Sequence, residues 1–246
     1  MNSNISLEEL SNCGSSMKIF QDKSKFCFGI DAILLADFSK NCRGRLICDL
    51  CTGNGIIPIL LSEKLPESEI HGLEIQSELT ELAQKSMDLN NLTGRIKIIQ
   101  GDVKNSWALL GKNKYDTVTV NPPYMKTNAQ TKKNPKSIAR QEILCNLEDI
   151  IKSASGLLKS NGKFYMTHRP SRLGEIFILL EKYNLGARRI RLVQPNAKER
   201  PTMVLVEAEK CSRPELIVEE TLSIYSEPFT YSDEVNEIYG RNAKKK

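Results

Sequence analysis

Four consecutive residues, Asn121-Pro122-Pro123-Tyr124, combine a side-chain amide, a backbone carbonyl in a stiff turn and an aromatic ring. The two prolines remove two backbone donors and fix two φ angles. Pro122 also keeps Asn121 out of the helical region. The Asn121 amide oxygen and the Pro122 carbonyl can each accept a hydrogen bond from an amino group, and Tyr124 can stack on a flat ring. That trio suits the exocyclic NH2 of an aromatic base, or a planar amide. Read alone, the stretch is also a strand-ending turn, because Asn-Pro commonly opens turns. Upstream, Asp49, Glu74 and Asp102 follow or close three short apolar runs. As a two-oxygen acceptor, Glu74 can take both hydroxyls of a ribose, and Asp102 stands where an adenine amino group can be met. Between the first two acids lies Cys51-Thr52-Gly53-Asn54-Gly55, whose glycines permit a tight turn and close approach of the backbone to a ligand.

These residues need a parallel sheet to bring them together. The pattern predicts strands at 46–50, 70–74, 96–100 and 115–120, with helices at 56–65 and 77–91 between them. Such alternation implies a sheet covered on both faces, with ligands met at the carboxyl ends of its strands. Residues 125–140 are polar and cationic and read as a loop. A helix at 144–158, a strand at 163–167 and a helix at 171–183 capped by Ser171 follow, then two strands at 188–193 and 203–208 that form a long antiparallel pair. An edge strand at 222–225 and a helix at 232–239 close the chain. At the other end, residues 1–16 read as a loose arm, 17–21 and 26–28 as a short hairpin, and a helix runs from Asp31, in the N-cap position, to Lys40. The division is residues 1–44 as an arm, hairpin and helix cap, and 45–246 as one compact unit.

A chain of 246 residues with 40% hydrophobic and 26% charged residues is an ordinary globular composition. The net charge of +5 does not by itself imply nucleic acid. Its distribution says more, because cations cluster at 126–140, 168–172, 188–200 and 244–246. Cys48 and Cys51 match C-x-x-C, but a structural zinc site needs a second pair, and the only histidines are His71 and His168, so no metal is expected. Seven cysteines without disulfide-like spacing, no signal peptide and no apolar run of membrane length point to a reducing cytoplasm and no membrane. Nothing in the sequence bears on oligomeric state.

A nicotinamide dehydrogenase would share the strand, glycine loop and helix. Gly53-Asn54-Gly55-Ile56-Ile57-Pro58 lacks the third glycine of that fingerprint, however, and the dehydrogenase reading gives Asn-Pro-Pro-Tyr no role. The acidic series with Asn121-Pro122-Pro123-Tyr124 resembles instead the class I S-adenosylmethionine-dependent methyltransferases, in their amino-methylating branch. That family often has a further glycine where this chain has Cys51. The resemblance implies a Rossmann-like α/β fold, a mostly parallel seven-stranded sheet with an antiparallel final strand. It implies S-adenosylmethionine held by Asp49, Gly53, Gly55, Glu74, Ile75, Asp102, Val103 and Asn121, and catalysis by Asn121, Pro122, Pro123 and Tyr124. Phe28-Gly29-Ile30-Asp31, His168-Arg169-Pro170 and the Tyr-rich C-terminal segment are similar, more narrowly, to bacterial enzymes that N6-methylate adenine-37 of valine tRNA. In those enzymes the N-terminal segment folds over the cofactor, which gives Phe28 and Asp31 a place at the site. The implied partner is the anticodon loop of tRNA, with Lys126, Lys132, Lys133, Lys136, Arg140, Arg169 and Arg172 along its backbone. Protein glutamine N5-methyltransferases and DNA N6-adenine methyltransferases share the motif and stand as alternatives. An RNA-binding protein on a decayed methyltransferase fold is the non-enzymatic one, and the retained Asp49, Glu74 and Asn121 speak against it.

Overall fold

The structure, a computed structural model, describes residues 4–13, 15–24, 27–42, 44–122 and 145–241. Strands β1 (Ile5–Glu9) and β2 (Lys18–Asp22) pair as an antiparallel hairpin, with Leu7 opposite Phe20. The strand at 17–21 therefore pairs with the first residues of the chain. Cys27 and Phe28 lie in no strand, so the loose arm and the hairpin at 26–28 are both corrected. The polar edge of β2 is satisfied by the sheet's own helices. The backbone N–H of Phe20 donates to Ser86 Oγ (3.0 Å), and Lys18 exchanges bonds with the Asn90 side chain (2.9 and 2.7 Å).

Helix α1 (Ile30–Phe38) is apolar apart from Asp31 and Asp37 and is accordingly buried. Strand and helix then alternate: β3 (Leu46–Leu50), α2 (Ile56–Lys64), β4 (Glu69–Glu74), α3 (Ser77–Leu89), β5 (Ile96–Gln100), the short α4 (Ser106–Leu110) and β6 (Tyr115–Val120). After the undescribed stretch come α5 (Leu147–Leu157), β7 (Leu158–His168), α6 (Leu173–Lys182), β8 (Leu185–Gln194) and β9 (Met203–Lys210). The two-residue strands β10 (Ile217–Val218) and β11 (Leu222–Ser223) lead to a small hairpin, β12 (Tyr225–Glu227) with β13 (Thr230–Tyr231), and to helix α7 (Asp233–Ile238). Helix α5 opens on a capping box between Asn146 and Asp149. Ser171 does not cap α6, because Pro170–Arg172 forms a separate 3-10 turn and Arg172 holds the N-cap position.

Nine of the described strands form the main sheet, in the order β10-β8-β9-β7-β6-β3-β4-β5, with β11 also on β8. Its seven long strands are parallel except β9, which runs antiparallel to both β7 and β8. This is the expected mostly parallel sheet with an antiparallel final strand. Alternate residues feed two cores. Ile47, Tyr165 and Leu205 pack with α1, α2 and the N-terminal hairpin on one face. Cys48, Phe164 and Val206 pack with α5 and α6 on the other. Leu10, Ile19 and α1 thus share a core with the sheet they precede.

His71 is used structurally, its Nδ1 on the Tyr115 hydroxyl (2.6 Å) and its Nε2 on Glu69 (2.9 Å). No described helix is long and apolar enough to cross a membrane.

Candidate functional site

The order of strands along the sheet reverses between β3 and β6, and the crevice at the carboxyl ends of such a pair is where open α/β sheets take ligands. A cleft enclosing about 910 Å³, part of it open to solvent, sits there. Its floor and walls come from successive strand ends: the 51–54 loop after β3, Glu74 to Gln76 after β4, Gly101 to Val103 after β5 and Asn121 after β6. Phe28 closes it from the N-terminal segment, steadied by its backbone N–H on the Gln21 side chain (3.2 Å).

The glycine loop holds three positive φ angles, at Cys51 (55°), Gly53 (59°) and Gly55 (86°). Glycine accepts such angles without a steric cost and Cys51 does not, which explains physically why a glycine suits position 51. In front of Gly53 no described residue lies within 4 Å of where a Cβ would stand, so a ligand can approach its backbone. Gly55 works differently from the expectation. It caps α2, and a Cβ there would meet Met87 at 2.7 Å, so it serves helix packing and does not line the cleft.

Glu74 is buried against this loop. Its Oε2 accepts from the backbone N–H of Gly53 (2.9 Å) and its Oε1 from that of Gln76 (3.0 Å). Burial pushes its pKa up, against the pull of those backbone donors. Asp102 accepts from the backbone N–H of Lys104 (2.9 Å), which turns the chain so that Val103 faces the cleft. Together with Leu79 and Ile75, Val103 gives the acid-lined end an apolar wall.

Asp49 is not on the wall. It is fully buried beneath the loop, where its Oδ1 accepts from the Thr119 hydroxyl (2.6 Å) in the neighbouring strand. Burial pushes its carboxyl up to about 7, against the Thr119 bond. A carboxyl raised on folding binds a proton that the unfolded chain releases. Its contribution to stability is therefore lost as pH rises from about 4 to 7. Asp49→Asn is expected to gain stability relative to wild type across that window, by on the order of 4 kcal/mol at the end of it. Denaturant melts of both proteins from pH 4 to pH 8 check this, and a constant difference would refute it. The comparison with the variant is needed because His168, buried beside Arg172, is held down to about 4. Its opposite slope below pH 6.5 masks that of Asp49 in wild type alone.

Asn121 follows the last residue of β6. Its Nδ2 donates to Asp31 Oδ2 at 3.0 Å, joining residues 90 positions apart. A carboxylate can only accept, so this contact fixes which end of the amide faces Asp31. The other end, Oδ1, is buried at the cleft with no hydrogen-bond partner among the described residues. Asp31 is not the N-cap of α1, a position held by Gly29 without a side-chain cap. It lies behind Asn121 and off the cleft wall. Cys51 and Cys145 also line the cleft, with their thiols against each other, and that contact and burial push Cys51 well above the usual thiol range. No sequence motif pointed to Cys145, Gln76 or Leu79.

Pro122 is buried next to Asn121. Pro123, Tyr124, Lys126, Lys132, Lys133, Lys136 and Arg140 lie outside the described residues. Arg169 is exposed at the end of β7, with Nη1 on the Thr202 carbonyl (3.3 Å). Arg172 is a correction. Its guanidinium is buried and turns its Nε and Nη2 onto both oxygens of Glu175 (2.6 Å each), an ion pair at the start of α6 that takes this edge of the fork. Among the described residues no three His, Cys, Asp or Glu side chains are arranged to hold a metal ion.

The donor set fits S-adenosylmethionine. Glu74 and Asp102 supply acceptors for a nucleoside, Val103 and Leu79 an apolar wall for its base, and Gly53 an uncovered backbone.

Comparison with known proteins agrees. A family model described as methyltransferase small domain matches residues 29–182, more than half of the chain. A tRNA1(Val) (adenine(37)-N6)-methyltransferase of Porphyromonas gingivalis is 27% identical over 185 residues, covering 73% of this chain and 72% of that one. One of Bacteroides thetaiotaomicron is 25% identical over 216 residues, covering 86% and 90%. A crystal structure from Agrobacterium tumefaciens, described as a predicted O-methyltransferase, superposes with a TM-score of 0.70 at 25% identity over 85% of this chain and 95% of that one. A 16S rRNA N2 methyltransferase of T. thermophilus, solved with AdoMet and guanosine, shares the fold at a TM-score of 0.60 and 19% identity, over 85% of this chain and 51% of that one. With its class I fold and its cleft at the β3–β6 switch point, the chain belongs to the methyltransferase small domain family and is an S-adenosylmethionine-dependent methyltransferase.

Proposed function

We propose that the chain methylates the exocyclic amino group of an adenine in the anticodon loop of tRNA, adenine-37 of valine tRNA. The observation that carries the amino-group reading is the Asn121 carbonyl oxygen, buried at the cleft, without a partner among the described residues and held in orientation by Asp31. A buried acceptor without a partner costs about 1–3 kcal/mol unless a ligand supplies the donor. The relatives named as tRNA adenine-N6 enzymes, matched over 72% and 90% of their length, support adenine in tRNA as that ligand.

The nitrogen of an adenine amino group is a poor nucleophile because its lone pair is delocalised into the ring. Hydrogen bonds from that group to Asn121 Oδ1 and to the Pro122 carbonyl favour a tetrahedral nitrogen and localise the pair. S-adenosylmethionine, when bound, supplies an electrophilic methyl group. The protein needs no strong base, because the alkylated nitrogen becomes acidic and sheds its own proton. The protein contributes orientation and fixed dipoles, and Tyr124 contributes stacking in this reading. Lys126, Lys132, Lys133, Lys136 and Arg140 carry the phosphate contacts, together with Arg169. An adenine in a loop costs less to present than a paired base.

The test is methyl-labelled S-adenosylmethionine incubated in parallel with total tRNA, total DNA and a ribosome release factor. Label in tRNA is expected. Label in the release factor instead would indicate a glutamine amide as substrate, and label in DNA would indicate a deoxyadenine.

A further inference from the structure

Phe229 is fully exposed, at 100% of its accessible surface, and has φ of 65°. It stands at the tip of the β12–β13 hairpin in the turn Glu227-Pro228-Phe229-Thr230. Proline at the second place of such a turn and a positive φ at the third are the pattern in which glycine normally takes the third place. A phenylalanine there has a steric cost and a solvation cost together, so neither local propensity nor packing accounts for it.

The hairpin beneath it is anchored by stacked rings. Tyr225 stacks on Tyr231 and Tyr231 on Tyr239, each with centroids 5.3 Å apart, and Arg241 lies over the last two rings. The base of the hairpin is tied down by the Tyr225 N–H on the Pro195 carbonyl (2.8 Å) and by Arg191 on Glu234 (2.6 Å).

Topology places this hairpin at the active edge of the sheet. Strands β7 and β8 are both antiparallel to β9, so β8 runs parallel to β7 and β6. The carboxyl end of β8 therefore shares an edge with Asn121 and His168. β11 pairs there with Val193 and Gln194, immediately before the hairpin. The loop from β8 to β9 emerges at the same edge and carries exposed Lys198 and Arg200, neither with an acidic partner among the described residues. Arg169 is exposed nearby and bonds to the end of that loop at Thr202. An aromatic ring projecting from a stiff turn beside cations is suited to a nucleobase stacked over a phosphate backbone.

We infer that the β12–β13 hairpin is a second RNA contact, with Phe229 stacking on an unpaired base of the substrate while Lys198 and Arg200 meet its phosphates. The inference rests on the RNA reading above and extends it to a surface outside the cleft. Because Phe229 touches neither core nor cleft, Phe229→Ala is expected to keep the thermal midpoint and cofactor affinity of wild type.

The experiment measures affinity for a single-stranded RNA oligonucleotide and for tRNA by fluorescence anisotropy, alongside steady-state methylation of tRNA. Phe229→Ala is expected to weaken RNA binding and to raise the Michaelis constant for tRNA by about 5–100-fold, with turnover at saturating tRNA nearly unchanged. Phe229→Trp should restore the wild-type values and Phe229→Leu should not, which separates stacking from mere apolar contact. Equal RNA affinity in wild type and Phe229→Ala overturns the hairpin contact. A change in sedimentation mass in place of RNA affinity assigns the tip to self-association and overturns it too. The two readings fail separately. Loss of RNA affinity in Phe229→Ala alongside a wild type that leaves tRNA unmethylated keeps the hairpin and removes the proposed reaction. Methylated tRNA with equal affinities does the reverse.

Discussion

Asn121→Ala is expected to slow single-turnover methyl transfer to tRNA by about 10²–10³-fold, or 3–4 kcal/mol. The loss is large because the amide oxygen is an acceptor already fixed in place. Asp31 holds the NH2 end, the oxygen is buried, and no described residue competes for it. Cofactor affinity should change much less, since the acceptors for the nucleoside lie on β4 and β5. Asn121→Asp is the sharper comparison. It keeps the acceptor and nearly the shape, but sets a second carboxylate against Asp31 3.0 Å away, so one of the pair should take up a proton. Activity of Asn121→Asp should therefore rise as pH falls and the pair shares that proton, whereas Asn121→Ala should stay slow at every pH. Asp31→Ala leaves the amide free to turn and should lower the rate without touching the cleft wall. An Asn121→Ala enzyme as fast as wild type would reduce Asn121 to a strand end.

Glu74→Ala is expected to weaken S-adenosylmethionine binding by about 10–100-fold, as loss of a charge-assisted acceptor costs roughly 1.5–3 kcal/mol. Two effects add in this variant. The carboxylate faces the cleft, and it also receives the N–H groups of Gly53 and Gln76, so alanine leaves two backbone donors of the loop without their partner. Glu74→Gln separates them. It keeps one acceptor oxygen for the loop but presents an NH2 in place of the second, so it should retain the fold and still lose most of the affinity. Calorimetric titration of both variants gives the comparison. Unchanged affinity in a folded Glu74→Ala protein would remove Glu74 from the cofactor site.

The sheet was readable because its central strands are buried on both faces. Apart from Asp49 and Asp116, runs such as Leu46–Leu50 and Tyr115–Val120 are consequently apolar or β-branched, and they are followed by small or polar residues. The cleft residues Glu74, Asp102 and Asn121 were readable for the same reason, being polar residues at the ends of those runs. What escaped has a physical cause in each case. The strand Ile5–Glu9 alternates exposed and half-buried side chains and has no apolar run, so only its pairing with β2 defines it. The partner of Asp31 is distant in sequence, and local sequence offers only its place near a helix start. Asp49 was assigned to the wall because it precedes the glycines, but its side chain points to the face beneath them, where Thr119 meets it. Arg172 counted as a surface cation until its neighbour one helical turn on, Glu175, was seen to take its fork. Charge alone does not tell a buried ion pair from a phosphate site.

The reaction itself is tested most directly by nucleoside mass spectrometry of tRNA treated with the protein and S-adenosylmethionine bearing a trideuterated methyl group. The account predicts trideuteromethyl label on N6 of a single adenosine in the anticodon loop, formed about 10²–10³-fold more slowly with Asn121→Ala. Label on a ring nitrogen or on another base, or label that persists at full rate in Asn121→Ala, would contradict it.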